Sequence, residues 1–280
     1  MNGERPGPYV DSHAHIQARQ FGGDAAGVVD RAAAAGVGTI VCASDDEQSS
    51  VDAVKLAERF DSVWAMVGVH PHEAAHATAA TWERLTELAN STAVVAIGEI
   101  GLDYYRDLSP RPTQRAVFQH QIELAATQRL PIVVHSRDAA EDTYAILRGW
   151  PESAGAAAME PGVIHCFGYD TSWAERFLAL GFLISVPGTV TYPKADRMKE
   201  VAVAVPQSSL LVETDSPYLA PLPWRGKRNE PAYLPETVNM IASLRGERAE
   251  HLGMVTGANA RRLFRLDERA GTGAARRGAS

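Results

Sequence analysis

Nine histidines occur in this 280-residue chain, and six of them stand at the ends of apolar runs. His13 and His15 lie in Asp11-Ser12-His13-Ala14-His15, and His70 and His72 in Gly68-Val69-His70-Pro71-His72. His135 follows Pro131 to Val134, and His165 follows Gly162 to Ile164. Carboxylates close two further runs: Glu99 in Gly98-Glu99-Ile100-Gly101-Leu102-Asp103, and Asp215 in Glu213-Thr214-Asp215-Ser216-Pro217. Alternate side chains of an extended strand share a face, so His13 and His15 can grip one ion together. A single histidine is ordinarily a core or loop residue with a satisfied hydrogen bond, and a bare His-x-His also suits a polar turn. Six such residues at the ends of apolar runs form a pattern that scattered placement would not give.

His13, His15, Glu99, His135, His165 and Asp215 offer more donors than one ion needs. A carboxylate can bridge two cations, so Glu99 would join a first ion held by His13, His15 and Asp215 to a second held by His135 and His165. Two ions about 3.5–4 Å apart activate a water and steady the charge that builds on a phosphoryl or carbonyl oxygen. Imidazole-rich ligation favours zinc, manganese, iron or cobalt, and an open second site also accepts magnesium. With only Cys42 and Cys166 present, both beside apolar runs, neither a disulfide framework nor a cysteine-rich zinc site is available.

Such donors need a frame that brings strand ends together, and the chain carries the pattern of one. Strand-like apolar runs are expected before Asp11 and over Gly38 to Ala43, Val63 to Val69, Ala93 to Ile97, Pro131 to Val134, Gly162 to Ile164, Phe182 to Val186 and Leu210 to Val212. Between them helical periods fall over Asp24 to Ala35, Ser49 to Phe60, Thr81 to Ala89, Pro112 to Gln128, Ala139 to Gly149, Ser172 to Leu180 and Ala195 to Val203. Leu234 to Leu244 and Ala249 to Leu263 finish the series. Nearly continuous apolar strands alternating with helices imply a parallel sheet covered on its outer face. Eight such units predict an α/β fold of the (β/α)8 TIM-barrel type, in which the chemistry sits at the C-terminal ends of the strands.

Residues 1–265 read as one barrel domain, Ser153 to Pro161 as a surface loop of small residues, and residues 266–280, rich in Gly, Ala and Arg, as a disordered tail. No apolar run approaches the roughly 20 residues that span a bilayer, and Met1 to Gly7 lacks the apolar core of a signal peptide, which predicts a cytoplasmic protein without a membrane partner. Lys plus Arg total 27 against 34 for Asp plus Glu, a net charge of -7 that disfavours broad non-specific grip on nucleic acid but permits a nucleic acid held locally by metals.

The same motifs, with Tyr104-Tyr105, His165-Cys166-Phe167-Gly168 and Arg225-Gly226-Lys227-Arg228-Asn229-Glu230-Pro231, resemble in order those of the TatD-type metal-dependent hydrolases within the amidohydrolase-like barrels. The resemblance runs from Tyr9 to about Arg265. It implies a two-metal centre and deoxyribonuclease activity, often 3′-to-5′ exonucleolytic, with DNA, single-stranded or at ends, as substrate and a monomer or weak oligomer as the working form. Carried over position by position, the ligands are His13, His15, Glu99, His135, His165 and Asp215, the set that the strand ends already picked. Departures are small: Ala14 stands where a cysteine is common, and Gln17 where an acidic or small residue is usual.

Asp215 is expected to deprotonate the attacking water with Glu99 bridging the ions, while Glu213, two residues earlier on the same face, holds a ligand histidine. Arg225, Lys227 and Arg228 are candidates for substrate phosphates, His70 and His72 for further substrate contacts, and Tyr104 or Tyr105 for stacking on a base. The rival is an amide, lactone or ester hydrolase. Many such sites bridge their metals with a carbamylated lysine at a strand end, whereas the four lysines here, 55, 194, 199 and 227, end no strand.

Overall fold

The computed structural model describes residues 7–150 and 160–268. Eight strands form one parallel sheet in chain order: β1 (Tyr9–Ala14), β2 (Val37–Cys42), β3 (Val63–Val67), β4 (Val94–Asp103), β5 (Ile132–Arg137), β6 (Gly162–Ile164), β7 (Leu183–Val186) and β8 (Leu210–Val212). The sheet curls until its edges meet at a bridge between Ala14 and Ser216, and Ser12 Oγ donates to the Val212 carbonyl at 2.9 Å, so the barrel is nearly closed. Around it run α1 (Ala25–Ala34), α2 (Glu47–Arg59), α3 (Ala79–Ala89), α4 (Arg111–Gln128), α5 (Ala140–Leu147), α6 (Thr171–Ala179), α7 (Asp196–Ala204), α8 (Leu234–Arg245) and α9 (Ala249–Phe264).

Strand residues divide by parity into two cores. Val41, Trp64, Met66, Val95, Val133, Val163, Leu183 and Leu211 fill the barrel, whose lower end is closed by Leu263, Phe264 and Leu266 at the end of α9. Ile40, Cys42, Val67, Ile132, Val134, Ile164 and Ile184 face outward against Val28, Leu85, Phe118, Phe177 and Ile241 of the helices. Burial on both faces is why these strands read as unbroken apolar runs. Full burial of each large side chain stabilises by about 1.5–3 kcal/mol, so the frame is rigid where it carries the site.

Several boundaries shift by one or two residues from those expected, and three differences have a clear physical cause. Helix α2 begins two residues early because Asp46 caps it: its side chain accepts the Ser49 amide at 2.7 Å while Ser49 Oγ accepts the Asp46 amide at 2.8 Å. These polar residues carry no apolar period, so the pattern alone missed the first turn. Strand β4 continues beyond Ile97 to Asp103, with Gly101, Leu102 and Asp103 opposite His135, Ser136 and Arg137. Gly101 permits that extension, since it has φ 139° and a Cβ there would sit 2.0 Å from the His135 carbonyl oxygen. The third difference is Leu266, which is buried under the barrel rather than part of a tail, with helical backbone to residue 268. The expected small-residue loop up to residue 159, and the expected tail from residue 269 on, lie outside the described residues. Among the described residues no helix is long and apolar enough to cross a membrane.

Candidate metal centre

Beyond their last paired residues, β1 and β8 are stitched together by side chain and backbone. Asp11 accepts from the Thr214 amide at 2.9 Å and from Thr214 Oγ1 at 2.5 Å, and the Asp215 amide donates to the His13 carbonyl at 2.9 Å. Burial, eased by the Thr214 hydrogen bonds, pushes the Asp11 carboxyl up to about 7. Asp215 itself takes a left-handed backbone, φ 53°, a conformation that aspartate tolerates when its neighbours pin it.

This places His13, His15 and Asp215 together. His13 Nε2 lies 3.1 Å from His15 Nε2, 3.2 Å from Glu99 Oε2 and 3.8 Å from Asp215 Oδ1, while His15 Nε2 stands 3.5 Å from Glu99 Oε2 and 3.6 Å from Asp215 Oδ1. The other Glu99 oxygen, Oε1, faces a second group: His165 Nε2 at 2.7 Å, His135 Nδ1 at 2.8 Å and His70 Nε2 at 3.3 Å. His135 Nδ1 and His165 Nε2 are 3.3 Å apart. The other five expected donors therefore gather about the buried Glu99 carboxylate, one of its oxygens facing each group.

The donor set fits cations. Ligands held about 2.1 Å from a tetrahedral zinc stand about 3.4 Å from each other, within the range of spacings of the first group. Four further buried atoms, His13 Nδ1, His15 Nδ1, His165 Nδ1 and Glu213 Oε2, lack hydrogen-bond partners, which is uncommon in a packed interior. Without metal, protons take up the charge balance. Burial opposes ionisation of Glu99, but His165, His70 and His13 outweigh it and hold its carboxyl well below the usual range. Asp215 is likewise lowered against burial, by the hydrogen bond from His15 and by the charges of His13, His15 and His165. Burial is overcome at His165 by the charges of Glu99 and Glu213, which lift it well above 6.5, and at His15 by Asp45, Asp215 and Glu99, which push it to about 9. His70 goes the other way, lowered by burial.

The outer partners are partly as expected. Glu213 Oε1 accepts the Cys166 amide at 2.7 Å and faces His165 Nδ1 at 3.4 Å, a long ion pair rather than a good hydrogen bond. Asp103, which ends the Gly98 to Asp103 motif and was not among the expected site residues, places Oδ2 3.1 Å from His135 Nε2 and 3.0 Å from His72 Nε2. Asp45 Oδ2 lies 3.6 Å from His15 Nδ1. The signal for Asp103 was present, because residues 99, 101 and 103 share one face of an extended strand; Asp45 had none beyond following β2.

His70, expected only as a substrate contact, lies inside the second donor group. The basic loop is divided: Arg228 donates to the Gln20 carbonyl at 3.3 Å and lies 3.5 Å from Glu230, whereas Arg225 and Lys227 are exposed, over the rings of Tyr192 at 4.5 Å and Trp224 at 5.1 Å. Tyr104 is occupied by packing, with its hydroxyl donating to Asp142 at 2.7 Å and Arg111 over its ring. Tyr105 is 60% exposed beneath the Arg137 guanidinium, 3.9 Å above its ring, and so offers a surface for stacking.

A nearly closed barrel of eight parallel strands, with imidazoles and carboxylates gathered about one glutamate at its C-terminal mouth, defines the metal-dependent hydrolases of the amidohydrolase-like fold. The model of the TatD related DNase family matches residues 10–265, and the chain belongs to that family. It is 40% identical over 257 residues to an uncharacterized metal-dependent hydrolase, YabD, of Bacillus subtilis, covering 92% of this chain and 99% of that one. It is 38% identical over 261 residues to a protein of Rahnella sp. named 3'-5' ssDNA/RNA exonuclease TatD, covering 91% and 97%. Among solved structures, the TatD homologue YjjV of Escherichia coli superposes with a TM-score of 0.85 at 31% identity, covering 92% of this chain and 98% of that one.

Proposed function

We propose that the protein is a deoxyribonuclease that hydrolyses phosphodiester bonds of single-stranded DNA or DNA ends, removing nucleotides from the 3′ end. On this reading two divalent ions, of zinc, manganese, magnesium or cobalt, are held by His13, His15 and Asp215 on one side of Glu99 and by His135 and His165, with His70 beside them, on the other. The observation that carries it is the division of the Glu99 carboxylate between two groups of donors. Relatives about as similar, such as that of Rahnella sp., are named ssDNA/RNA exonucleases, which supports a nucleic-acid substrate.

The bound ions would lower the pKa of a water and neutralise charge on the phosphate. Asp215, ionised at neutral pH and more exposed than the buried Glu99 that it faces across the two histidines of β1, accepts the proton of the attacking water. The water oxygen bonds to phosphorus, the ester P–O bond breaks, and the departing oxygen takes up a proton. Glu99 and Glu213 keep the imidazoles oriented, and Arg225 and Lys227 are free to meet substrate phosphates. Hydrolysis of an amide, lactone or ester would use the same donors. The division of Glu99, with Lys55 on α2 and the other three lysines away from strand ends, favours the nuclease.

The test is digestion of a 5′-labelled single-stranded DNA oligonucleotide, and of its RNA counterpart, by metal-stripped protein resupplied with each metal, with His135→Ala as control. Metal-dependent stepwise shortening from the unlabelled end, lost in the control, is expected. Folded, metal-loaded protein that cleaves neither oligonucleotide would transfer the assignment to carbonyl substrates.

A further inference from the structure

A second feature of the barrel mouth lies outside the donor cluster. The segments that follow β6, β7 and β8 enclose an open cleft of ≈ 510 Å³, lined by Gly168, Tyr192, Lys194, Arg197, Met198 and Arg225 among others. Two of its walls are continuations of the strands that deliver His165 and Asp215. The β7 segment is seated against the β8 segment: Thr191 Oγ1 accepts the Leu222 amide at 2.9 Å, and the Tyr192 hydroxyl donates to the Ala220 carbonyl at 2.8 Å. Arg197 Nη1 reaches the carbonyl of Gly168, three residues beyond His165, at 3.5 Å. The cleft and the donor cluster therefore open on the same face of the barrel.

Its charge is unusual for this chain. Against a net charge of -7, the cleft gathers Lys194, Arg197 and Arg225, all exposed, and none of the three forms an ion pair with a described carboxylate. Lys199, next along, shows the ordinary alternative, with Asp196 at 3.9 Å. Three cations on a concave surface, none within ion-pair distance of a described carboxylate although Arg197 acts at longer range on Asp170, make a local positive field. The Arg225 guanidinium lies 4.5 Å over the Tyr192 ring, whose hydroxyl bond fixes its plane, so the fork is held with its N–H groups free for phosphate oxygens. Cations spaced along a groove beside an aromatic ring match what single-stranded nucleic acid needs, since phosphates repeat along the strand and every base has a face to stack.

We propose that this cleft binds the sugar-phosphate backbone of a single strand next to the scissile bond, with Lys194 and Arg197 on successive phosphates and Arg225 with Tyr192 at the end nearer β8. The proposal rests on the nucleic-acid reading above, and adds Tyr192, Lys194 and Arg197, which no motif singled out.

The test measures binding apart from turnover. Metal-loaded protein carrying Asp215→Asn to block hydrolysis is titrated into labelled oligothymidylate of about 12 nucleotides over a range of salt, with fluorescence anisotropy as readout. Adding Lys194→Ala and Arg197→Ala should weaken binding roughly tenfold and reduce the slope of log affinity against log salt by about 1.4, two phosphate contacts at ~0.7 each. The charge-conserving pair Lys194→Arg and Arg197→Lys should restore most of both. Unchanged affinity and slope in the alanine pair, or no binding of the oligonucleotide by the parent protein, would overturn the proposal. If the parent binds with the expected slope but the wild type hydrolyses no oligonucleotide, the nuclease reading fails while the cleft stands. If the wild type hydrolyses and the alanine pair binds like its parent, the cleft alone falls.

Discussion

The imidazole rings of His13 and His165 lie stacked, with centroids 4.0 Å apart and planes 10° from parallel. From that stack their Nε2 atoms reach different oxygens of Glu99, His13 at 3.2 Å from Oε2 and His165 at 2.7 Å from Oε1. Two protonated rings so close would repel each other, and Glu99 is the anion placed between their Nε2 atoms to offset that repulsion.

Glu99→Gln should therefore uncouple the two donor groups. One amide presents a single oxygen and cannot serve both sides as an anion. Metal content measured on purified protein should fall to one ion or fewer, with activity down by more than the ~10–100-fold typical of an outer hydrogen-bonding partner. Full occupancy with normal turnover would remove Glu99 as the bridge.

Asp103 acts one step further out. Its Oδ2 accepts from His135 and His72, and burial is outweighed by those hydrogen bonds and the Arg106 amide, so the carboxyl stays well below its usual range. Asp103→Asn should leave the thermal transition nearly unchanged but lower affinity for one of two ions by roughly 10–100-fold, read by competition with a chelating dye.

Asp215→Asn tests the base. An amide oxygen can still face His13 and His15 but cannot accept a proton from water. Metal content should stay close to that of the wild type while turnover drops by about 10²–10⁴-fold. A comparable loss of metal and activity would instead make Asp215 chiefly a ligand.

Proton release gives the pH dependence its sign. At His15 burial is overcome by Asp45, Asp215 and Glu99, and the metal-free ring is pushed to about 9, above its unfolded value of about 6.5. In metal-free protein that shift stabilises the fold fully below the unfolded value, and the contribution is lost as pH rises through about 9. Metal requires the neutral ring, so metal affinity runs the opposite way, climbing with pH up to about 9. Calorimetry near pH 7.5 in buffers of different ionisation enthalpy should count at least two protons expelled as both sites fill, from His15 and His165, with His135, where burial is likewise overcome by Asp103 and Glu99, adding to the count. A count of zero would show rings already neutral.

Gly101→Ala probes the strand extension. The added methyl would meet the His135 carbonyl oxygen at 2.0 Å in a backbone with φ 139°. A loss of about 3 kcal/mol, or roughly 6–10 °C in Tm, is expected, with weakened metal binding through displaced His135.

Much of this molecule was legible in the chain. Strands covered on both faces must be apolar throughout, so eight unbroken runs at regular spacing announced the barrel. A histidine or carboxylate at the end of such a run costs burial free energy unless it is partnered, which made His13, His15, Glu99, His135, His165 and Asp215 visible. Their arrangement was not. Whether Glu99 turns both oxygens to separate groups depends on how five strands converge, and β4 reaches Asp103 only because the backbone of β5 lies beside Gly101. Asp11 meets Thr214 across 203 residues of sequence. The cationic cleft likewise joins Gly168, Lys194 and Arg225, which no local pattern connects. Periodicity records what each segment buries, whereas contacts between distant segments are decided by packing, and in this chain packing set the donor geometry.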